Sequence, residues 1–201
     1  MLGTCYNSNM KTKKSKQTNM NPKRKNILLV NDFNNVEADR NYVDALRQGH
    51  SVDATGYIST ARIKLAKDIE RNGKITRYDL AVLAVGMPTL GDFSREETNG
   101  GWTTGLVYFE KELKDLNLPT LFWSRDKDDK QRMEEMIKEN KLDPTKVKFT
   151  HKNSDDTHLL RAVENFFHTI ERKKDTNKTG SKLQTLKLKD KQPTTTSKEP
   201  H

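Results

Sequence analysis

The sequence predicts an α/β domain in which five parallel strands form one doubly wound sheet with helices on both faces. Three observations carry this. The runs Ile27-Leu28-Leu29-Val30 and Leu80 to Val85 are continuous apolar stretches of strand length, and Leu118 to Trp123 reads as a third buried strand, as expected of strands buried on both faces. Segments of helical periodicity separate them, and regular strand–helix alternation implies a parallel sheet with right-handed crossovers. Finally, charge collects at the chain ends and leaves an ordinary domain between them.

Taken in order, Asn26 to Asn31 reads as the first strand. Residues 34–47 follow as a helix with Val36, Val43, Ala45 and Leu46 on its apolar side, stopping near Gly49. Ser51 to Tyr57 alternates as a strand. Ser59 is the expected cap of a second helix, whose stripe is Ile63, Leu65, Ala66 and Ile69 and whose stop is Gly73. Leu80 to Val85 is the third strand, and the long loop GMPTLGDFSREETNGGWTTG leads into a helix through Leu106, Phe109, Leu113 and Leu116. Leu118 to Trp123 is the fourth strand; Pro119 is tolerated at its start, where no donor is needed. A highly charged helix over 126–139 has Met133, Met136 and Ile137 as its apolar stripe. Lys146 to Thr150 is a short last strand, and Ser154 or Asp155 caps a final helix carrying Leu159, Leu160, Val163, Phe166, Phe167 and Ile170.

The net charge of +9 belongs to the ends. Residues 1–25 hold seven Lys/Arg and no acid, and 172–201 hold nine against three, which leaves 21 basic and 25 acidic residues in 26–171. The expected organisation is a disordered basic tail over 1–24, a domain over 25–171 and a second disordered basic tail over 172–201. A net-negative domain argues against a nucleic-acid surface on the fold itself; lysine tails attract polyanions in a salt-sensitive way, or serve to solubilise. The lone Cys5 allows no disulfide framework or thiolate metal site. No run approaches a membrane span, and the start lacks the apolar core of a secretory leader, so a cytoplasmic location without membrane contact is expected. Met10 and Met20 are alternative starts, and no second folded domain is expected after Ile170.

In doubly wound sheets ligands meet the carboxyl ends of the strands, which directs attention to Asn31-Asp32, Ala84 to Pro88, Ser124 and the residues after Phe149. Strand ends in the order ILLVND, LAVLAVGMP, LPTLFWS and FTHK resemble the receiver domain of two-component response regulators, over roughly residues 25–170. The resemblance implies a flavodoxin-like sheet of strand order 2-1-3-4-5. It also implies a phosphoacceptor pocket with an acidic pair for Mg²⁺, an acceptor aspartate, a hydroxyl, a lysine and a swinging aromatic. Here Asn31 and Asp32 match the pair, Ala84 the acceptor, Ser124 the hydroxyl, Lys152 the lysine and Phe149 the aromatic, and Asn153 stands where proline is usual.

An alanine methyl is no nucleophile, and one carboxylate leaves Mg²⁺ with weak binding at Asp32 at most. The expectation is therefore a pseudo-receiver without catalytic residue, enzymatic activity, cofactor or metal, in which Lys152 pairs with Asp32. Asp92, in the loop, lacks the fixed geometry to replace the acceptor and is grouped with Trp102 as a candidate interaction loop. Trp102 reads either as a cap on helix packing or as a docking or lid residue, whereas Trp123 reads as core. The histidines have no metal-ligand spacing, and Lys127 to Lys130 reads as a solvated helix start.

The implied role is signal transduction or phosphorelay-type regulation by protein–protein docking. The implied partners are a histidine kinase or another signalling protein, and a second copy through the face of the fourth helix, fifth strand and fifth helix. Two alternatives stay open: a nucleic-acid-associated regulator acting through its tails, and a small-anion sensor using the Ser124/Lys152 cradle.

Overall fold

The computed structural model describes residues 24–32, 36–153 and 155–189; the amino-terminal tail through residue 23, residues 33–35, Ser154 and residues 190–201 lie outside them. Strands β1 (Asn26–Val30), β2 (Ser51–Thr55), β3 (Leu80–Ala84), β4 (Thr120–Ser124) and β5 (Val147–His151) alternate with helices α1 (Val36–Gly49), α2 (Ile58–Asn72), α3 (Thr104–Tyr108), α4 (Asp128–Glu139) and α5 (Asp156–Lys189). The strands form one parallel sheet of order β2-β1-β3-β4-β5.

Side-chain alternation splits the sheet between two cores. Leu28, Val30, Ala81, Leu83 and Phe122 face α2, α3 and α4, where Leu65, Phe109, Met133 and Met136 meet them. Ile27, Leu29, Val82, Leu121 and Trp123 face α1 and α5, against Tyr42, Leu46, Leu159, Val163 and Phe166. Every residue of β3 and β4 is buried, which is why β3 reads as an unbroken apolar run and β4 as an apolar centre, Leu121 to Trp123, between Thr120 and Ser124.

Local chemistry departs from expectation in three places. Helix α2 begins at Ile58 with Tyr57 as an extended N-cap that makes no side-chain cap bond; the Thr55 hydroxyl accepts from the Tyr57 N–H instead, so Ser59 is not the cap. Gly73 does close this helix, in the left-handed conformation with its N–H on the Ile69 carbonyl. The third helix is not uniform: α3 continues into a π-turn over Phe109–Leu113 and a 3-10 turn over Lys114–Leu116. Asp155 accepts from the Thr157 N–H at the start of α5, and that helix runs past residue 171, where composition places the start of a tail. No described helix is long and apolar enough to cross a membrane.

Candidate functional site

Parallel register brings the strand ends to one edge, with Val30 beside Leu83, Ala84 beside Trp123 and Ser124 beside His151. The residues that follow open onto a cavity of about 300 Å³ lined by Asn31, Asp32, Ala84, Ser124 and Lys152, together with Asp39, Trp102, Asp126 and Asp129. All five residues expected at a degraded phosphoacceptor pocket thus meet in one place. Phe149 does not line this cavity; it is partly buried in the α4-side core, edge-on to the His151 ring at 5.0 Å.

The two residues expected to hold an anion both bond to acids. Ser124 Oγ donates to Asp129 Oδ2 at 2.6 Å and accepts from the Asp126 N–H at 3.1 Å. Asp129, 2% exposed, takes a second bond from Arg132 at 2.7 Å. Its segment was expected to be a solvated helix start, but Asp129 turns inward because the serine hydroxyl satisfies it there.

Lys152 does not pair with Asp32. Its Nζ meets Asp39 Oδ1 at 3.0 Å, across from α1, and lies 4.2 Å from the ring centre of Trp123 and 5.6 Å from that of Tyr42. Aromatic faces stabilise an ammonium taken out of water, so Lys152 is held by a carboxylate below and rings alongside. Tyr42 and Trp123 are themselves packed edge to face at 4.8 Å, and the Tyr42 hydroxyl donates to the Asn153 carbonyl. The peptide N–H of Lys152 donates to the Ser124 carbonyl at 2.6 Å, which fixes where its stem departs from the backbone.

The long loop after β3 is fastened to the strand end. Met87 N–H donates to the Gly101 carbonyl at 3.0 Å, and Gly105 N–H to the Val85 carbonyl at 2.8 Å. The Thr104 hydroxyl donates to the Met87 carbonyl at 2.6 Å, and Ser94 and Glu97 bond each other's backbone N–H reciprocally. A Cβ on Gly105 would lie 2.1 Å from the Ala84 carbonyl oxygen; only glycine permits this approach. Asp92 is not offered to a partner: its carboxylate pairs with Arg62 at 2.6 Å, and Arg62 also donates to Glu112. Trp102, by contrast, is 70% exposed and so does not cap helix packing. It stands between the cavity and a neighbouring groove formed by Met87, Pro88, Leu90 and Arg95.

A magnesium ion, which the resemblance implies, does not fit these residues. Mg²⁺ demands octahedral oxygen ligands, usually including one or two carboxylates. Ala84 offers none, the Asn31 amide nitrogen points at the Asp32 carbonyl at 3.2 Å, and Asp39 and Asp129 are bonded to Lys152 and Ser124. Among the described residues no cluster of three or more His, Cys, Asp or Glu has metal-holding geometry.

Asp39 is the site residue that sequence reasoning missed, and a signal for it exists. It falls four before Val43 and seven before Leu46, on the apolar stripe of α1; a carboxylate at such a position needs a buried partner. Asp129 likewise precedes Met133 by four on the stripe of α4.

No protein-family model matches the sequence, and no curated protein matches it. Solved structures do. NtrX from Brucella abortus superposes with a TM-score of 0.52 at 16% identity, over 78% of this chain and 29% of that one. The signal receiver domain of an HD domain-containing protein from Pseudomonas fluorescens Pf-5 superposes with a TM-score of 0.50 at 16% identity, over 75% of this chain and 93% of that one. The chain thus spans under a third of the NtrX chain and nearly all of the isolated receiver domain. Strand order, doubly wound layering and these superpositions give this chain the flavodoxin-like fold of response-regulator receiver domains.

Proposed function

We propose that the protein is a pseudo-receiver: a response-regulator-like signalling module that acts by docking to other proteins and takes no phosphoryl group at the usual strand end. One observation carries the reading. At the tip of β3, where a receiver needs a carboxylate nucleophile, the chain places the buried methyl of Ala84. Phosphoryl transfer is positioning plus charge stabilisation around an attacking oxygen, and neither the oxygen nor its usual cation has a place here. The small-anion reading is weaker, since Ser124 and Lys152 already donate to Asp129 and Asp39.

Docking partners follow from the same reading: a histidine kinase or another signalling protein, and a second copy through α4, β5 and α5. That face includes β5, which among the described residues is an edge strand paired on its β4 side, and a shallow groove lined by Lys148, Phe149, Ala162 and Phe166. The test is incubation of the full chain with acetyl phosphate and Mg²⁺, followed by intact mass and by NMR with beryllofluoride. The expected result is an unchanged mass and an unchanged spectrum. An acyl-phosphate on the chain, or a receiver-like spectral shift, overturns the reading.

A further inference from the structure

The fold brings the two basic ends of the chain to one place. Residues 1–25 carry seven Lys/Arg and no acid, and residues 172–201 carry nine against three. Lys25, just before β1, reaches across to α5: its Nζ donates to Glu171 Oε1 at 2.9 Å and lies 5.4 Å from the centre of the Phe167 ring. Two residues further along α5, Lys173 donates to Asp143 Oδ1 at 3.0 Å and Oδ2 at 2.9 Å, and to the Thr145 hydroxyl at 3.0 Å, on the approach to β5. Both contacts lie at the amino edge of the sheet. The amino-terminal segment therefore enters the domain beside the turn of α5 from which the carboxyl-terminal segment departs.

From that turn α5 continues to Lys189, about 24 Å beyond Lys173 at 1.5 Å per residue. Residues 172–189 hold seven Lys/Arg and one acid, Asp175. Lys174, Lys178 and Lys182 recur at four-residue intervals, which places them on one side of the helix. Like charges at this spacing repel one another along a helix, and an anionic ligand relieves the repulsion. Between the two segments, residues 26–171 hold 21 basic and 25 acidic residues, so the excess of cations is confined to these arms.

We propose that the amino edge of the sheet is the root of a two-armed clamp, residues 1–25 and the α5 extension, for the phosphate backbone of a nucleic acid duplex. Arms rooted together act on one ligand, because the first contact raises the effective concentration of the second. The composition of the arms selects the ligand. Single strands are held by stacking bases on aromatic rings, and the arms carry one aromatic residue, Tyr6. A helix that lies in a membrane interface needs an apolar face; Leu183 and Leu186 of the extension share a side, but Leu188 falls on the other. Lysines without aromatic or apolar company suit a duplex backbone, bound by counterion release and without regard to sequence. The proposal does not depend on the docking reading, since the strand-end cavity lies at the opposite edge of the sheet.

The test is fluorescence anisotropy of a labelled DNA duplex of about 12 base pairs, little more than one helical turn, titrated with the full chain over a series of salt concentrations. Saturable binding of one duplex per chain is expected, with an affinity that falls steeply with salt. Joint substitution Lys174→Gln, Lys178→Gln and Lys182→Gln should lower the log–log salt slope by about 2–3, and Lys13→Gln with Lys14→Gln and Lys16→Gln should do the same. The two sets combined should lower it by about 5. Lys→Arg at the same six positions keeps the charge and should leave binding near native, which separates charge from any effect on folding. No binding at about 0.05 M salt, a slope that either set leaves unchanged, or two duplexes per chain overturns the proposal. So does tighter binding to the single strand or to phosphatidylserine vesicles.

Discussion

Asp39 and Asp68 are buried aspartates at opposite ends of the sheet, 2% and 5% exposed, and their surroundings differ in kind. Asp68, near the end of α2, receives donors on both oxygens: the Asn72 amide and Thr76 hydroxyl on Oδ1, and the N–H groups of Thr76 and Arg77 on Oδ2. It ties the end of α2 to the approach to β3 and has nothing left to offer. Asp39, near the start of α1, has one oxygen on Lys152 and one without a partner. Asp68 is saturated by its own chain, whereas Asp39 keeps one buried oxygen without a donor. The amino end of the sheet is closed in this sense, and the carboxyl end is not.

The strongest way to break this contrast is Lys152→Met. It strands Asp39 as an unpaired buried charge and should lower unfolding free energy by about 3–5 kcal/mol in urea titrations. The double variant Asp39→Asn with Lys152→Met should regain most of that loss; a loss equal to that of Lys152→Met alone would show that the pair is not the cause. Next in size, Asp68→Asn should cost about 1–3 kcal/mol, because backbone donors lose their acceptor. Asp39→Asn by itself should cost less than about 1 kcal/mol, since the amide oxygen still accepts from Lys152. Equal losses at 39 and 68 would erase the distinction.

A pH titration sharpens it further. Burial raises the carboxyl pKa of Asp68, but the backbone N–H groups of Arg77 and Thr76 and the side chains of Asn72 and Thr76 outweigh it and hold the group below its ordinary 3.8. The stability it contributes is therefore present above pH 3.8 and lost as pH falls through the depressed folded value. Stability of the native chain should drop below about pH 4, and less steeply in Asp68→Asn. The smallest effect concerns His50, whose two ring nitrogens are buried without partners. Desolvation lowers its pKa from 6.5, with Lys25 and Arg24 acting the same way and Glu164 opposing. The folded state resists protonation there, so a modest loss should set in as pH falls below 6.5 and should vanish in His50→Phe.

The strands were legible because burial on both faces favours apolar side chains: Leu80 to Ala84 is apolar throughout and Thr120 to Ser124 is apolar between its two ends, and both are buried along their whole length. The meeting of Asn31, Asp32, Ala84, Ser124 and Lys152 followed from strand order, which a parallel sheet makes predictable. What escaped was set by side-chain reach. Lys152 could be placed at the edge, but its choice of Asp39 over Asp32 depends on a long stem passing the Trp123 ring, and no strand-end pattern records that. The tie of Asp92 to Arg62 is likewise a contact between elements far apart in the chain, whereas the inward turn of Asp129 is local, toward Ser124 at the end of the preceding strand. The break of the third helix into π and 3-10 turns leaves no mark in the apolar spacing of Leu106, Phe109 and Leu113.

Gly105 has a wider consequence. Because helix α3 rests its backbone on the carbonyl of Ala84, the span from residue 86 to 104 and the tip of β3 form a single mechanical unit. Pressure applied at the indole should travel into the sheet rather than dissipate in a slack loop. The strand tip that carries Ala84 thus has a lever attached to it.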